Sequence, residues 1–187
     1  MNPVIDNIRS RRSVRSYADK PLPREVLAQV LEAGNLAPSG MNTQGWRFVV
    51  VESAGARKRL ADLALPRYQK WLAQASESFR ERRKAVDAQS ADPVYYSAPA
   101  AIFVIGSGMT APLDCPMVCQ NMMLAARSLG IGSCWVYMGQ LIMDDPEIQK
   151  LFCMKEEEKV YGPIVLGYPN GDFPPAPAKK QAVVKWL

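Results

Sequence analysis

The chain has 187 residues, of which 48% are hydrophobic and 22% charged, with a formal net charge of +5; these values suit one folded domain with a full core and argue against disorder. Histidine is absent, which excludes Ser-His-Asp and Cys-His nucleophile systems and leaves only an all-cysteine zinc site, for which Cys115, Cys119, Cys134 and Cys153 are poorly spaced. No metal is expected, and hard chemistry in such a chain belongs to a bound cofactor.

The N-terminal stretch MNPVIDNIRS lacks the order of a signal peptide, and no run is long enough to span a bilayer. With no CxxC spacing, reduced and mostly buried thiols in a cytoplasmic protein are expected. Asn2 can cap a first helix with Pro3 at its opening and Val4, Ile5 and Ile8 on one face. It runs into Arg9-Ser10-Arg11-Arg12-Ser13-Val14-Arg15-Ser16-Tyr17. Guanidinium forks match phosphate oxygens and serine hydroxyls add short bonds; a solvated basic helix end, favoured by the helix dipole, accounts for the segment equally well.

After Lys20-Pro21-Leu22-Pro23, the spacing of Val26, Leu27, Val30 and Leu31 predicts a second helix ending near Gly34-Asn35. The loop Ala37 to Trp46 is rich in small polar and amide side chains. Such side chains hydrogen-bond planar heterocycles, and they also simply make turns. Arg47-Phe48-Val49-Val50-Val51 reads as a buried strand. Ser53 caps a third helix through Leu65, and after Pro66 an amphipathic stretch carries Tyr68, Trp71, Leu72, Ala75, Phe79 and Val86. The aromatics there read as packing. Arg80, Glu81, Arg82, Arg83 and Lys84 read as a solvated face, because acids interleave with the basic residues.

Ala100 to Ile105 is a buried strand. Asp114 can cap a helix with Pro116 in its first turn and Gly130 as its stop. That helix is apolar all round and must lie in the core. Gly130 and Gly132, beside the β-prone Cys134-Trp135-Val136-Tyr137, signal either a close approach to the backbone or a helix stop and a turn. Asp144 caps a short helix to about Phe152, Lys155 to Lys159 is a surface loop, and Tyr161 to Pro169 is a last strand with Pro163 at a kink or bulge. The tail is proline-rich and extended, with a β-prone end from Ala182 to Trp186. Strands separated by helices, with one helix buried among them, predict an α+β domain of helices around one sheet.

Taken together these segments resemble the FMN-dependent nitroreductase family. Arg11-Arg12-Ser13-Val14-Arg15 is similar to its phosphate-binding signature, and Ala37 to Trp46 to its APSxxNxQPW loop. Gln120-Asn121-Met122 with Gly130 to Trp135 resembles its core helix and glycine exit, and Gly167-Tyr168-Pro169 with Lys179-Lys180 its ending. The resemblance implies helices around a central mixed β-sheet in an intertwined homodimer. It also implies a single FMN-binding domain over 1–187, with 66–92 a variable helical excursion and 170–187 an extended C-terminal arm. Arg11, Arg12 and Ser13, with Lys179 or Lys180, would hold the FMN phosphate and ribityl chain. Arg15 would lie near the pyrimidine edge of the flavin. Pro38, Ser39, Asn42 and Gln44 would reach the ring from the partner subunit. Trp135 would belong to the cofactor site, and backbone N–H groups around Tyr137, Met138 and Gly139 would approach N5 and O4.

The implied activity is transfer of hydride from NADH or NADPH to flavin N5 and of electrons onward to a nitroaromatic, quinone or related small acceptor, with sites at the dimer interface and neither nucleic acid nor membrane as partner. An enoyl-type reduction or dehydrogenation on the same flavin is the alternative. A basic nucleic-acid-binding module is a further one, which the dispersal of cations among acids disfavours. Gly45 stands where the family has proline, and lysines stand where many members have an arginine near the end.

Overall fold

The computed structural model describes residues 2–88, 90–180, 182 and 185. Asn2 caps α1 (Pro3–Ser10), its Oδ1 accepting from the Val4 and Ile5 N–H groups at 2.9 and 3.3 Å. After α2 (Arg24–Asn35), the loop from Pro38 to Gly45 leads into β1 (Trp46–Val51). Ser53 caps α3, which runs Ala54–Gln74 straight through Pro66. The break expected at Pro66 is therefore absent: one backbone bond is forfeited there, while Leu60, Ala64 and Tyr68 stay buried on either side of it. The excursion breaks instead at Ser76, the N-cap of α4 (Glu77–Asp87).

β2 (Ala100–Gly106) precedes the buried helix, α5 (Ala111–Ser128). That helix begins three residues before Asp114, with Thr110 at its N-cap. Asp114 is thus not the cap: it lies buried in the first turn and accepts the Gly40 N–H at 3.3 Å. Next come β3 (Gly132–Trp135), a 3-10 turn at Tyr137–Ile142, and α6 (Pro146–Leu151), capped by Asp145 where Asp144 was expected. The last apolar run is split at the cis Gly162–Pro163 bond into β4 (Lys159–Val160) and β5 (Ile164–Gly167).

The sheet order is β1-β2-β5-β3, with β4 also on β2, and every pairing of these strands is antiparallel. The parallel component of the expected mixed sheet is one bridge, Ser13 opposite Ser133. Strand alternation sorts the core into two layers. Ala100, Ile102 and Val104 face α5 and α2, while Ala101, Phe103 and Ile105 face Leu60, Tyr68 and Phe152 on the other side. Because β2 is buried on both faces it reads as an unbroken apolar run, not an alternating one.

Candidate functional site

The basic segment is drawn onto the sheet by local chemistry. Val14 is buried, its N–H donates to the Ser133 carbonyl at 3.0 Å, and its side chain presses on Gly132. A Cβ at Gly132 would stand 2.9 Å from Val14 Cβ, so this glycine permits the close approach, while Gly130 is the left-handed helix stop at φ +73°. Both readings of the glycine pair hold, one at each residue. Tyr17 locks the segment further, its hydroxyl donating to the Val14 carbonyl at 2.6 Å.

Beside this segment lies a groove of about 750 Å³ lined by Arg9, Arg11, Arg12, Ser13 and Arg15, and by Pro174 to Pro177 and Lys179 of the C-terminal arm. The arm is held there by Arg127, a residue missed in the sequence. Its guanidinium lies 4.2 Å from the Phe173 ring centroid, and its Nε donates to the Ser10 carbonyl at 3.2 Å. Arg12 spends Nη1 on the Arg9 and Arg11 carbonyls, both at 2.6 Å, closing the end of α1. The Arg11 side chain has no hydrogen-bond partner among the described residues. Lys179 lines the groove and Lys180 does not.

Arg15 lines the groove and also reaches Tyr96. Its Nε is buried with no partner among the described residues, and its Cζ lies 6.0 Å from the Tyr96 ring centroid. Cys134 sits close by. Burial holds its thiol above the ordinary range, against the pull of Arg15, the Ser13 hydroxyl, Arg11 and Arg83. Arg83 is the main correction here: its side chain is 14% exposed, so it does not belong to a solvated face. It donates to the hydroxyls of Tyr68 and Tyr96 at 3.0 and 3.1 Å and to the Pro93 carbonyl at 2.9 Å, and pairs with Asp87 at 2.6 Å. Burial and the bond to Asp87 push the Tyr68 phenol up to about 12. The signal was available, since Arg83 shares a helical stripe with Phe79 and Val86.

The other expected residues fall in two places. Trp135 ends β3, and Tyr137 and Met138 open the 3-10 turn, where first-turn N–H groups have no partner within the helix. Gly139 cannot offer its N–H, which already donates to the Val136 carbonyl at 3.2 Å; Pro163 and Tyr95 fill the space over it. Pro38, Ser39, Asn42 and Gln44 lie at the opposite end of α5. Gly40 is tied to Asp114 there, whereas the basic segment meets Arg127 and Ser133. Eighteen helical residues separate the two ends, about 27 Å, so one protomer does not bring the two sets together. The loop keeps Met41, Asn42 and Gln44 at φ 55°, 55° and 49°, sparsely populated backbone that Ser39 Oγ helps hold by accepting the Gln44 N–H at 3.0 Å.

The model of the Nitroreductase family matches residues 8–168. A putative NADH dehydrogenase/NAD(P)H nitroreductase of Archaeoglobus fulgidus is 30% identical over 172 residues, spanning 92% of this chain and 88% of that protein. A nitroreductase with bound FMN from Bacteroides fragilis superposes with a TM-score of 0.79 at 31% identity, each chain covered in full. Another with bound FMN, from Desulfitobacterium hafniense, gives 0.82 at 28% identity over 99% of this chain and all of that one. Sheet, buried helix and basic segment are those of an α+β oxidoreductase fold, and the chain belongs to the nitroreductase family.

Proposed function

We propose that the protein is an FMN-dependent oxidoreductase that takes reducing equivalents from NADH or NADPH and passes them to a small acceptor, a nitroaromatic, a quinone or a related molecule. The observation that carries this reading is the basic groove with Arg15 at its edge. Arg11, Ser13 and Lys179 offer donors to a phosphate, and a buried unpartnered guanidinium N–H such as Arg15 Nε costs about 1–3 kcal/mol unless an acceptor meets it. When bound, the isoalloxazine supplies the redox chemistry, with hydride received at N5 and electrons given on to the acceptor. The chain's own part is to bind the phosphate, to hold a fixed cation near the pyrimidine edge, and to present the Tyr137 and Met138 N–H groups to the ring. No side-chain nucleophile is required, in keeping with the absence of histidine.

The reading includes a homodimer with sites at its interface. Support comes from the length of α5, about 27 Å, which keeps Ser39, Asn42 and Gln44 away from the basic segment of their own protomer. Met41, Met109 and Leu113, near the N-terminal end of α5, are 70% or more exposed, an apolar patch that a second copy would cover. Residues 66–92 would shape access to the site, and the buried free thiols Cys115, Cys119 and Cys134 suit a reducing, cytoplasmic setting. No helix among the described residues is long and apolar enough to cross a membrane.

The test is the visible spectrum of the purified protein, followed by denaturation and identification of the released flavin. FMN near one per chain, reduced by NADH or NADPH and reoxidised by a quinone, is the expected result. Colourless protein that takes up no added FMN would end the proposal.

A further inference from the structure

We infer that Arg83 is a positioning residue for the cofactor site, acting on Arg15 through the ring of Tyr96. The inference rests on the FMN reading above and extends it to α4, which that reading leaves without a role at the ring.

Three observations converge. Arg83 uses all three guanidinium nitrogens on fixed partners from three places, Tyr68 on α3, Asp87 on its own helix and the Pro93–Tyr96 turn. A planar fork held this way sets the position of what it grips, unlike a freely moving ammonium. Tyr96 is 5% exposed and sits at φ +57°, so its backbone needs outside support to persist. That support is the Arg83 bond to its hydroxyl and the Asp92 carbonyl, which accepts the Tyr96 N–H at 2.9 Å. Finally, Arg15 and Arg83 both lie 6.0 Å from the Tyr96 ring centroid. Arg83 is balanced by Asp87, whereas Arg15 has no ion pair among the described residues. The ring is therefore the platform on which Arg15 rests, and Arg83 holds the platform.

Loss of Arg83 should let the Tyr96 turn relax and set Arg15 loose. The experiment is an FMN titration of the apoprotein by fluorescence quenching in wild type, Arg83→Gln, Tyr96→Leu and the double variant. Apo thermal unfolding and the midpoint potential of the bound flavin are recorded beside it. Arg83→Gln is expected to weaken FMN roughly tenfold and to move the potential to more negative values, since a displaced cation no longer favours the reduced ring. In the Tyr96→Leu background the same change should add less than about twofold. Should Arg83→Gln fail to fold, Arg83→Lys, which keeps the charge and loses the fork, carries the same cycle. Wild type that binds no FMN would sink both this inference and the reading beneath it. Wild type that binds FMN, with unchanged affinity and potential in the Arg83 variant or with equal losses in the two backgrounds, would overturn this inference alone.

Discussion

Arg47 donates from Nε and Nη2 to the two carboxylate oxygens of Glu158 at 2.7 and 2.6 Å, and from Nη2 to the Cys153 carbonyl at 3.0 Å. Glu158 also accepts the Lys155 N–H at 2.9 Å, and its side chain is only 7% exposed. It therefore fastens the 153–158 loop to β1, where an all-surface loop was expected. The Arg47 bonds lower the Glu158 carboxyl from 4.5 to about 2. A depressed carboxyl stabilises the fold fully above its unfolded value, and that contribution drains away as pH falls from about 4.5 toward 2. Glu158→Gln should cost about 1–3 kcal/mol at neutral pH and flatten the acid limb of stability; urea midpoints at pH near 7 and near 3 would check both. At the groove, Arg11→Ala should weaken FMN by about 1.5–3 kcal/mol, whereas Arg82→Ala, an exposed charge on α4, should leave flavin affinity within a few tenths. Flavin titration of the two variants decides this; equal affinities would remove Arg11 from the phosphate site. The basic segment was legible because its residue types announce their chemistry. Glu158 was not, since its partner lies 111 residues away, and nothing local distinguishes it from Glu156 and Glu157.

At the scale of elements, periodicity located the helices and strands, and their ends were settled by contacts it does not contain. Asp114 looks like a cap and serves instead as the acceptor for Gly40. Pro66 looks like a break and is carried inside α3, because apolar residues on both sides find the same core. Gly132 is fixed by a contact remote in sequence, the Val14 side chain packed against it. Gly132→Ala would bring its Cβ to 2.9 Å from Val14 Cβ and Cγ2, and a β-branched side chain cannot swing aside. The expected loss is about 1–3 kcal/mol, with weaker FMN uptake as the basic segment shifts. Adding Val14→Ala removes the Cγ contacts but keeps Val14 Cβ at 2.9 Å, so it should recover only a small part of the stability. Thermal unfolding of the single and double variants is the check, and a Gly132→Ala protein as stable as wild type would refute the close-packing argument.

At the scale of the molecule, helices around one sheet could be read from sequence, and a site divided between subunits was implied only by the family resemblance; the separation of the basic segment from the 38–44 loop within one chain could not be read, because it depends on which end of α5 each meets. The arm belongs to this scale too. Ending the chain after Asn170 removes Phe173 from Arg127 and Lys179 from the groove, so flavin content and dimer fraction should fall together in sedimentation with absorbance detection. A truncated protein that stays dimeric with full flavin would make the arm dispensable. The β-prone end, Ala182 to Trp186, lies largely outside the described residues. The length of α5 sets the basic segment and the 38–44 loop at its opposite ends. In the dimer proposed above, a lesion at Arg11 on one chain and a lesion at Asn42 on the other then fall in the same site. Two such defective proteins, unfolded and renatured together, would form hybrids with one doubly damaged site and one intact site. Random pairing leaves half of the dimers hybrid and about a quarter of all sites whole. Yellow colour regained from two colourless parents would be complementation within a single gene product.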